Sequence, residues 1–271
     1  MALVPFPSAT PGDDQDPERF DEDSGSKMSF LEHLDELRKR LIYIVYSLIA
    51  GCVVAYIFIQ RIFDFIMRPM QQLLPHDAPG AGRLMYTAGA EPFMLYVKIG
   101  FIAGVFLSSP LILWQIWKFI APGLYSHEKK FAIPFVALST VFFVTGGLFA
   151  HYVAFPWTWK FFISFSTDYM VFIPKVDEAF SLYTKMILGF GIIFEMPTLV
   201  FFLARMGVVT GGFLLKYFKY AFLIIFIVAA VISPGTDMMS QVIMAVPMLG
   251  LYMISIVIAY AFQKKRIPAT D

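Results

Sequence analysis

Six long apolar stretches, separated by polar segments, form the main pattern of hydrophobic and polar positions along the chain. A helix needs roughly 20 apolar residues to cross the ~30 Å hydrocarbon layer of a bilayer, so the pattern predicts an all-α polytopic membrane protein with six transmembrane helices. The fifth is expected to be short, and the sixth could be short as well. The predicted spans are residues 41–60, 95–117, 131–155, 184–204, 220–233 and 240–262.

Three of the prolines inside these stretches are Pro134, Pro197 and Pro247. A proline inside a helix removes a backbone hydrogen bond and bends the helix. Bent helices side by side tend to form a concave surface, so we expect a concave bundle. Kinks that only improve packing explain the same prolines equally well.

The loop charges predict the orientation of the spans. Most of the 21 lysines and arginines flank one set of span ends, and positive residues mark the cytoplasmic side. Both termini are therefore expected in the cytoplasm. Tryptophan is enriched where a span meets the headgroups, and four tryptophans near span ends are predicted to be interfacial anchors: Trp114, Trp117, Trp157 and Trp159.

The chain divides by composition into a polar start, a membrane domain and a short tail. Residues 1–27 hold seven of the 20 acidic residues and several prolines, a composition that is too polar to form a core. We expect a disordered acidic extension that is not a cleavable signal peptide, because it lacks a basic segment followed by an apolar one. The membrane domain is expected over residues 28–266 and a short tail over 267–271.

Composition excludes several classes of function. The chain is 58% hydrophobic and only 15% charged, and it has no basic domain of the kind that binds nucleic acid. Its single cysteine, Cys52, lies inside the first span, where packing is the expected role. Because the sequence contains no metal-binding cluster, phosphate loop or nucleophile elbow, we expect neither an enzyme nor a cofactor.

The start of the first span is a densely charged amphipathic helix. At about 100° per residue, the leucines of residues 30–41 fall on one arc and most charged residues on the other. Arg38 is the exception, because it projects among the leucines and must reach a polar layer or a carboxylate. This arrangement indicates a segment organised for more than solubility.

Four motifs in order along the chain resemble those of the TatC family, the multispanning receptor subunit of the twin-arginine protein translocase. The N-terminal motif is FLEHLDELRKR at residues 30–40, and FIAPGLYSHEKK at 119–130 resembles the first cytoplasmic loop of the family. GFGIIFEMP at 189–197 resembles its fourth span, and SPGTDMMSQ at 233–241 its last outer turn. Residues 1–27 have no counterpart in the usual pattern.

The resemblance implies a multi-pass protein of the bacterial cytoplasmic membrane that recognises Arg-Arg signal peptides on folded cargo. It also implies single-span partners of the TatA and TatB types, several copies of the chain in a receptor complex, and dependence on the proton-motive force. It implies no cofactor and no covalent catalysis.

The resemblance assigns signal-peptide binding to Glu36, Glu128 and Phe119, with His33 and Arg38 positioning the site. Two fixed carboxylates suit this task, because each can bind the planar guanidinium of an arginine through two hydrogen bonds. The residues alone leave simpler roles open. Glu36 could pair with Arg40 one turn later on the helix, and Glu128 could balance a neighbouring lysine.

The resemblance assigns contact with partner helices to Glu195, Ser233 and Gln241. Glu195 lies in the middle of an otherwise uncharged span, where an ionised carboxylate is costly, so it should face a wet concavity, pair with a partner or stay protonated. A neutral Glu195 bonded to a neighbouring span remains open, as does internal packing for Ser233 and Gln241. Three residues are assigned structural roles: Pro122, Pro197 and Asp237, the last as a helix cap.

Two other functions compete with this interpretation. A proton-coupled small-molecule transporter could use Glu195 as its relay, although the chain has only one acid in the middle of a span and no paired broken helices. An intramembrane hydrolase would need a metal motif, paired aspartates or a serine and histidine pair. None of these patterns is present in the sequence.

Overall fold

A computed structural model describes residues 30–73, 84–120, 132–167, 169–170, 172–233 and 238–263. Throughout these ranges the chain is built from helices, and no β-strand occurs in them. The extension 1–27, the tail 267–271 and the candidate residues Pro122, Glu128 and Asp237 lie outside the described residues.

The helices follow one another with short connections. They are α1 (Phe30–Ile57), α2 (Ile59–Leu73), α3 (Glu91–Ile120), α4 (Ala132–Phe149), a π-helical turn (Ala150–Ala154), α5 (Phe155–Ile163), α6 (Val176–Phe194), α7 (Met196–Arg205), α8 (Gly211–Lys216), α9 (Phe218–Ile232) and α10 (Met238–Phe262). Two compact units divide the chain, Met1–Lys39 and Arg40–Asp271, and α1 begins in the first and continues into the second.

Five helical segments of the described chain are long and apolar enough to cross a membrane, and one further apolar helix, α9, is shorter. The long segments are Leu31–Ile57, Glu91–Ile120, Ile133–Ile163, Val176–Arg205 and Met238–Phe262. The prediction of six apolar spans with a short fifth is thus confirmed. The sixth is not short, because α10 has 25 residues.

The third and fourth spans are each interrupted. In the third, the backbone changes to a π-helical turn at Ala150–Ala154 before α5 continues. The fourth breaks at Glu195, between the end of α6 and the start of α7. Pro197 explains this break, since it lies in the first turn of α7 and has no amide hydrogen to donate to the preceding turn.

The core of the second unit lies where α4 packs along α6 and where α10 packs against α7 and α9. Phe190 and Met186 of α6 are completely buried there. Gly146 of α4 allows the close approach, because a Cβ atom at this position would lie 2.5 Å from the Phe190 carbonyl oxygen. These contacts fix the helices that flank Glu195.

Helix α1 is mostly exposed beyond residue 40, and it contacts α3 through small residues. A Cβ atom at Gly51 would lie 2.6 Å from the Gly104 carbonyl oxygen, and one at Gly104 would lie 2.5 Å from the Cys52 sulfur. Small residues let membrane helices approach closely. The Tyr56 hydroxyl adds a hydrogen bond of 3.2 Å to the Val97 carbonyl oxygen.

Near the C-terminal end of α1, polar contacts join the segment before α3 to the start of α6. The Met85 amide donates a hydrogen bond of 3.1 Å to the Pro174 carbonyl oxygen, and the Val176 amide donates one of 2.8 Å to the Met85 carbonyl oxygen. Lys98 forms an ion pair with Asp177 of α6. These contacts link the segment before α3 to the start of α6.

Two of the four predicted tryptophan anchors are buried instead. Trp117 packs between Phe135 and Phe202, with ring centroids 4.4 and 4.8 Å away, and Trp159 stacks on Phe155 at 5.0 Å. The prediction was wrong for these two because a position near a span end does not fix the face of the helix. Trp157 is exposed, as an anchor must be.

Candidate functional site

The first candidate site lies at the N-terminal end of α1, within the first compact unit. His33 and Glu36 are half-buried there, while Arg38 and the leucines Leu31, Leu34 and Leu37 are exposed. One continuous helix holds the charged arc and the leucine arc in fixed register. The leucine arc therefore presents an apolar surface beside the charged residues.

Further along the same helix, Arg40 contacts α3. Its Nη1 atom donates a hydrogen bond of 3.4 Å to the Gln115 side-chain oxygen. Phe119, half-buried, lies one helical turn beyond Gln115 on α3. Glu128 is outside the described residues. That Glu36 and Glu128 lie close enough to bind two consecutive arginines therefore stays a prediction.

The second candidate site is a buried polar cluster at the break in the fourth span. Glu195 is only 9% exposed, and its carboxylate forms a hydrogen bond with Ser139 of α4. Thr198, on the first turn of α7, is also buried. In the described part of the chain, Glu195 Oε1 and the Thr198 hydroxyl have no hydrogen-bond partner.

This cluster could accept a polar group from another helix. A buried acceptor and a buried hydroxyl without partners cost free energy, and a donor that reached them would recover it. The burial of Glu195 agrees equally with the simpler interpretation, a carboxyl group that mainly bonds a neighbouring span. Its contact with partner helices stays a prediction.

The third set of candidate residues belongs to the pair of helices α9 and α10. The Ser233 and Ser240 hydroxyl groups are buried and lie 2.8 Å apart. The Gln241 side-chain amide donates a hydrogen bond of 2.8 Å to the Phe226 carbonyl oxygen. Both polar groups thus take part in packing between these two helices, and their docking of partner helices stays a prediction.

One buried polar pair was missed by sequence reasoning. His151, in the π-helical turn, lies with Nδ1 2.9 Å from the Tyr183 hydroxyl and stacks on Phe65 with ring centroids 4.1 Å apart. An isolated histidine in an apolar span was the only available signal, and no motif surrounded it. No group of three metal-ligating residues occurs in the described ranges.

Comparison with known proteins identifies relatives over most of the chain. A family model described as Sec-independent protein translocase protein (TatC) matches residues 32–247. The TatC protein of Koribacter versatilis (strain Ellin345) is 40% identical over 247 residues, covering 91% of this chain and 90% of its own. That of Helicobacter pylori (strain J99) is 41% identical over 227 residues, covering 84% and 87%.

Solved structures agree with these relatives. A crystal structure described as the twin arginine translocase receptor TatC has a TM-score of 0.74 and 36% identity, and the match covers 84% of this chain and 98% of that one. A second, in the detergent DDM, has a TM-score of 0.75 and 35% identity.

The matches decide between the competing functions at the level of family. They correspond to a multi-pass inner-membrane subunit of a protein translocase, which works in a complex with other subunits and is not an enzyme. They do not favour a small-molecule transporter that uses Glu195. The chain belongs to the TatC family of Sec-independent protein translocase subunits.

Proposed function

We propose that this subunit recognises the twin-arginine signal peptides of folded cargo proteins and nucleates the translocation complex. The observation that carries the proposal is the half-buried carboxylate of Glu36 on the charged arc of α1, in a chain that is 36% identical to a solved twin arginine translocase receptor. Both termini lie in the cytoplasm in this proposal, so Glu36 faces the compartment in which folded cargo is made.

Recognition uses Glu36 and Glu128 as two carboxylates for two consecutive arginines. A hydrogen bond to a charged group contributes about 1.5–3 kcal/mol, and the planar guanidinium can bind a carboxylate through two such bonds. Phe119 contacts the apolar part of the signal peptide. His33 and Arg38 hold the charged arc in place without touching cargo.

Partner helices of the TatA and TatB types bind elsewhere in this proposal, at Glu195, Ser233 and Gln241. The polar atoms at Glu195 and Thr198 without partners in the described residues support a contact within the membrane. Several copies of the receptor assemble with these partners, and transport draws on the proton-motive force.

The carboxylate pair is tested by alanine variants of the purified full-length chain in nanodiscs. Glu36→Ala and Glu128→Ala are each expected to weaken binding of an Arg-Arg signal peptide by roughly tenfold or more, because each removes a charge-assisted pair. Asp35→Ala is the matched control, since it removes an adjacent carboxylate that we do not place in the site. Wild-type affinity in the Glu36 and Glu128 double variant, measured by fluorescence anisotropy, would refute the assignment.

A further inference from the structure

Two neighbouring cavities between α2 and the third span share a wall made by Phe65 and His151. The first, here called the headgroup cavity, has a volume of about 400 Å³ and a mixed lining, in which the polar side chains include Arg68, Gln72 and Lys160. The second, the chain cavity, has a volume of about 220 Å³ and an almost entirely apolar lining.

The shared wall is held by packing and a hydrogen bond. His151 is buried, bonds to the Tyr183 hydroxyl through Nδ1 and stacks on Phe65 of α2. It lies in the π-helical turn, a feature that is frequent at functional sites. The turn thus places a fixed aromatic stack between the polar cavity and the apolar one.

The charges of the headgroup cavity are all positive. Arg68 and Lys160 are its charged lining residues, and neither forms an ion pair with any residue that the structure describes. Asp64, one turn before Arg68 on α2, is outside the lining. Lys98 and Lys175 are different, because each has a carboxylate partner. The headgroup cavity is therefore complementary to an anion.

The dimensions of the two cavities match one bilayer leaflet. Their lining follows the third span from Val144 and Leu148, in the chain cavity, to Lys160, in the headgroup cavity. At ~1.5 Å per residue this distance is roughly 24 Å. Half of a bilayer with its headgroups is about 20–22 Å. A site of this length can reach from the acyl chains to the phosphates of one leaflet, with the apolar cavity toward the chains and the cationic cavity toward the phosphates.

We infer that the two cavities together form a binding site for an anionic phospholipid in the leaflet at this end of the spans. Arg68 binds the phosphodiester through its planar guanidinium, Lys160 adds a second positive charge, and Gln72 offers an amide to the headgroup hydroxyls. One acyl chain fills the chain cavity beside Ala103 and Leu107. Basic pockets between membrane helices bind lipid headgroups by this chemistry.

The site is tested by native mass spectrometry of the full-length chain after reconstitution with phosphatidylcholine alone or mixed with phosphatidylglycerol. We expect wild type to retain phosphatidylglycerol selectively. The double variant Arg68→Gln and Lys160→Gln should retain less by roughly tenfold or more, since it removes both positive charges that line the headgroup cavity and would contact the phosphate. The matched control, Lys216→Gln with Lys219→Gln, removes the same charge elsewhere and should behave as wild type.

A second variant tests the acyl chain separately. Ala103→Phe fills the chain cavity and leaves both cations in place, so it should also release the lipid. Ala137→Phe, at an exposed position of α4 outside both cavities, should not. Melting temperatures of all variants in detergent separate loss of lipid from loss of fold.

Three results would overturn the inference. The first is equal retention of the two lipids by wild type, and the second is unchanged retention by the Arg68 and Lys160 double variant. The third is release of phosphatidylglycerol by inorganic phosphate with no effect of Ala103→Phe, which would indicate a site for a free anion. Selective loss in both cavity variants, with both controls unchanged, supports the phospholipid site.

Discussion

At the scale of single residues, Glu195 combines an ionisable group with a position at a helix break. The break follows from Pro197, and α4 supplies Ser139 as the hydrogen-bond partner. The sequence alone identified Glu195, because a single acid in an uncharged span stands out. It could not identify Ser139, since the register between α4 and α6 depends on packing of residues far apart in the chain.

Two substitutions at Glu195 separate docking from proton relay. Glu195→Gln is expected to have little effect on export and on crosslinking to partner helices, because the amide keeps an acceptor for Ser139. Glu195→Leu should lower crosslinking to partner helices by roughly threefold or more, since hydrogen bonds between membrane helices average ~0.6 kcal/mol and reach ~1.7 kcal/mol. Signal-peptide binding should survive both changes.

Export assays and site-specific crosslinking of both variants check this prediction. If Glu195 docks partner helices, Glu195→Leu should lower export and crosslinking more than Glu195→Gln does. Complete loss of export in both variants, with partner contacts unchanged, would instead indicate that the titrating group itself is required.

At the scale of elements, the contact between α1 and α3 depends on glycine. A Cβ atom at Gly104 would lie 2.5 Å from the Cys52 sulfur and 2.9 Å from Cys52 backbone atoms. The backbone atoms cannot move aside as the end of a side chain can. Glycine at this position therefore sets how closely the two helices approach.

We expect Gly104→Ala to destabilise the protein by about 1–3 kcal/mol, the usual cost of overpacking. Gly250→Ala is the matched control on α10, because nothing lies within 4 Å of a Cβ atom built there, and alanine favours a helix over glycine. Thermal unfolding in detergent compares the two variants. Equal melting temperatures for Gly104→Ala and wild type would contradict the close contact between α1 and α3.

Sequence patterns predicted most elements but few of their contacts. The six apolar stretches and the short fifth helix follow from hydrophobic length, which a single sequence displays directly. The burial of Trp117 and the His151 contact with Tyr183 depend on which face of each helix turns inward. In spans that are apolar all round, periodicity does not mark that face.

At the scale of the whole molecule, the acidic extension 1–27 is expected to be dispensable. Its composition is too polar to build a core, and the family match begins at residue 32. A chain that starts at Met28 should insert into the membrane and support export at the level of the full chain. Export of a twin-arginine reporter in cells measures this, and a strong loss on truncation would assign the extension a role.

The central claim is that the whole chain serves as a receptor that distinguishes a pair of arginines. Lysine keeps the positive charge but cannot bind a carboxylate through a planar pair of N–H donors. The most direct measurement compares an Arg-Arg signal peptide with its Lys-Lys counterpart on the wild-type chain in nanodiscs. We predict binding of the Arg-Arg peptide that is tighter by roughly tenfold or more, and equal affinity for the two peptides would contradict the account.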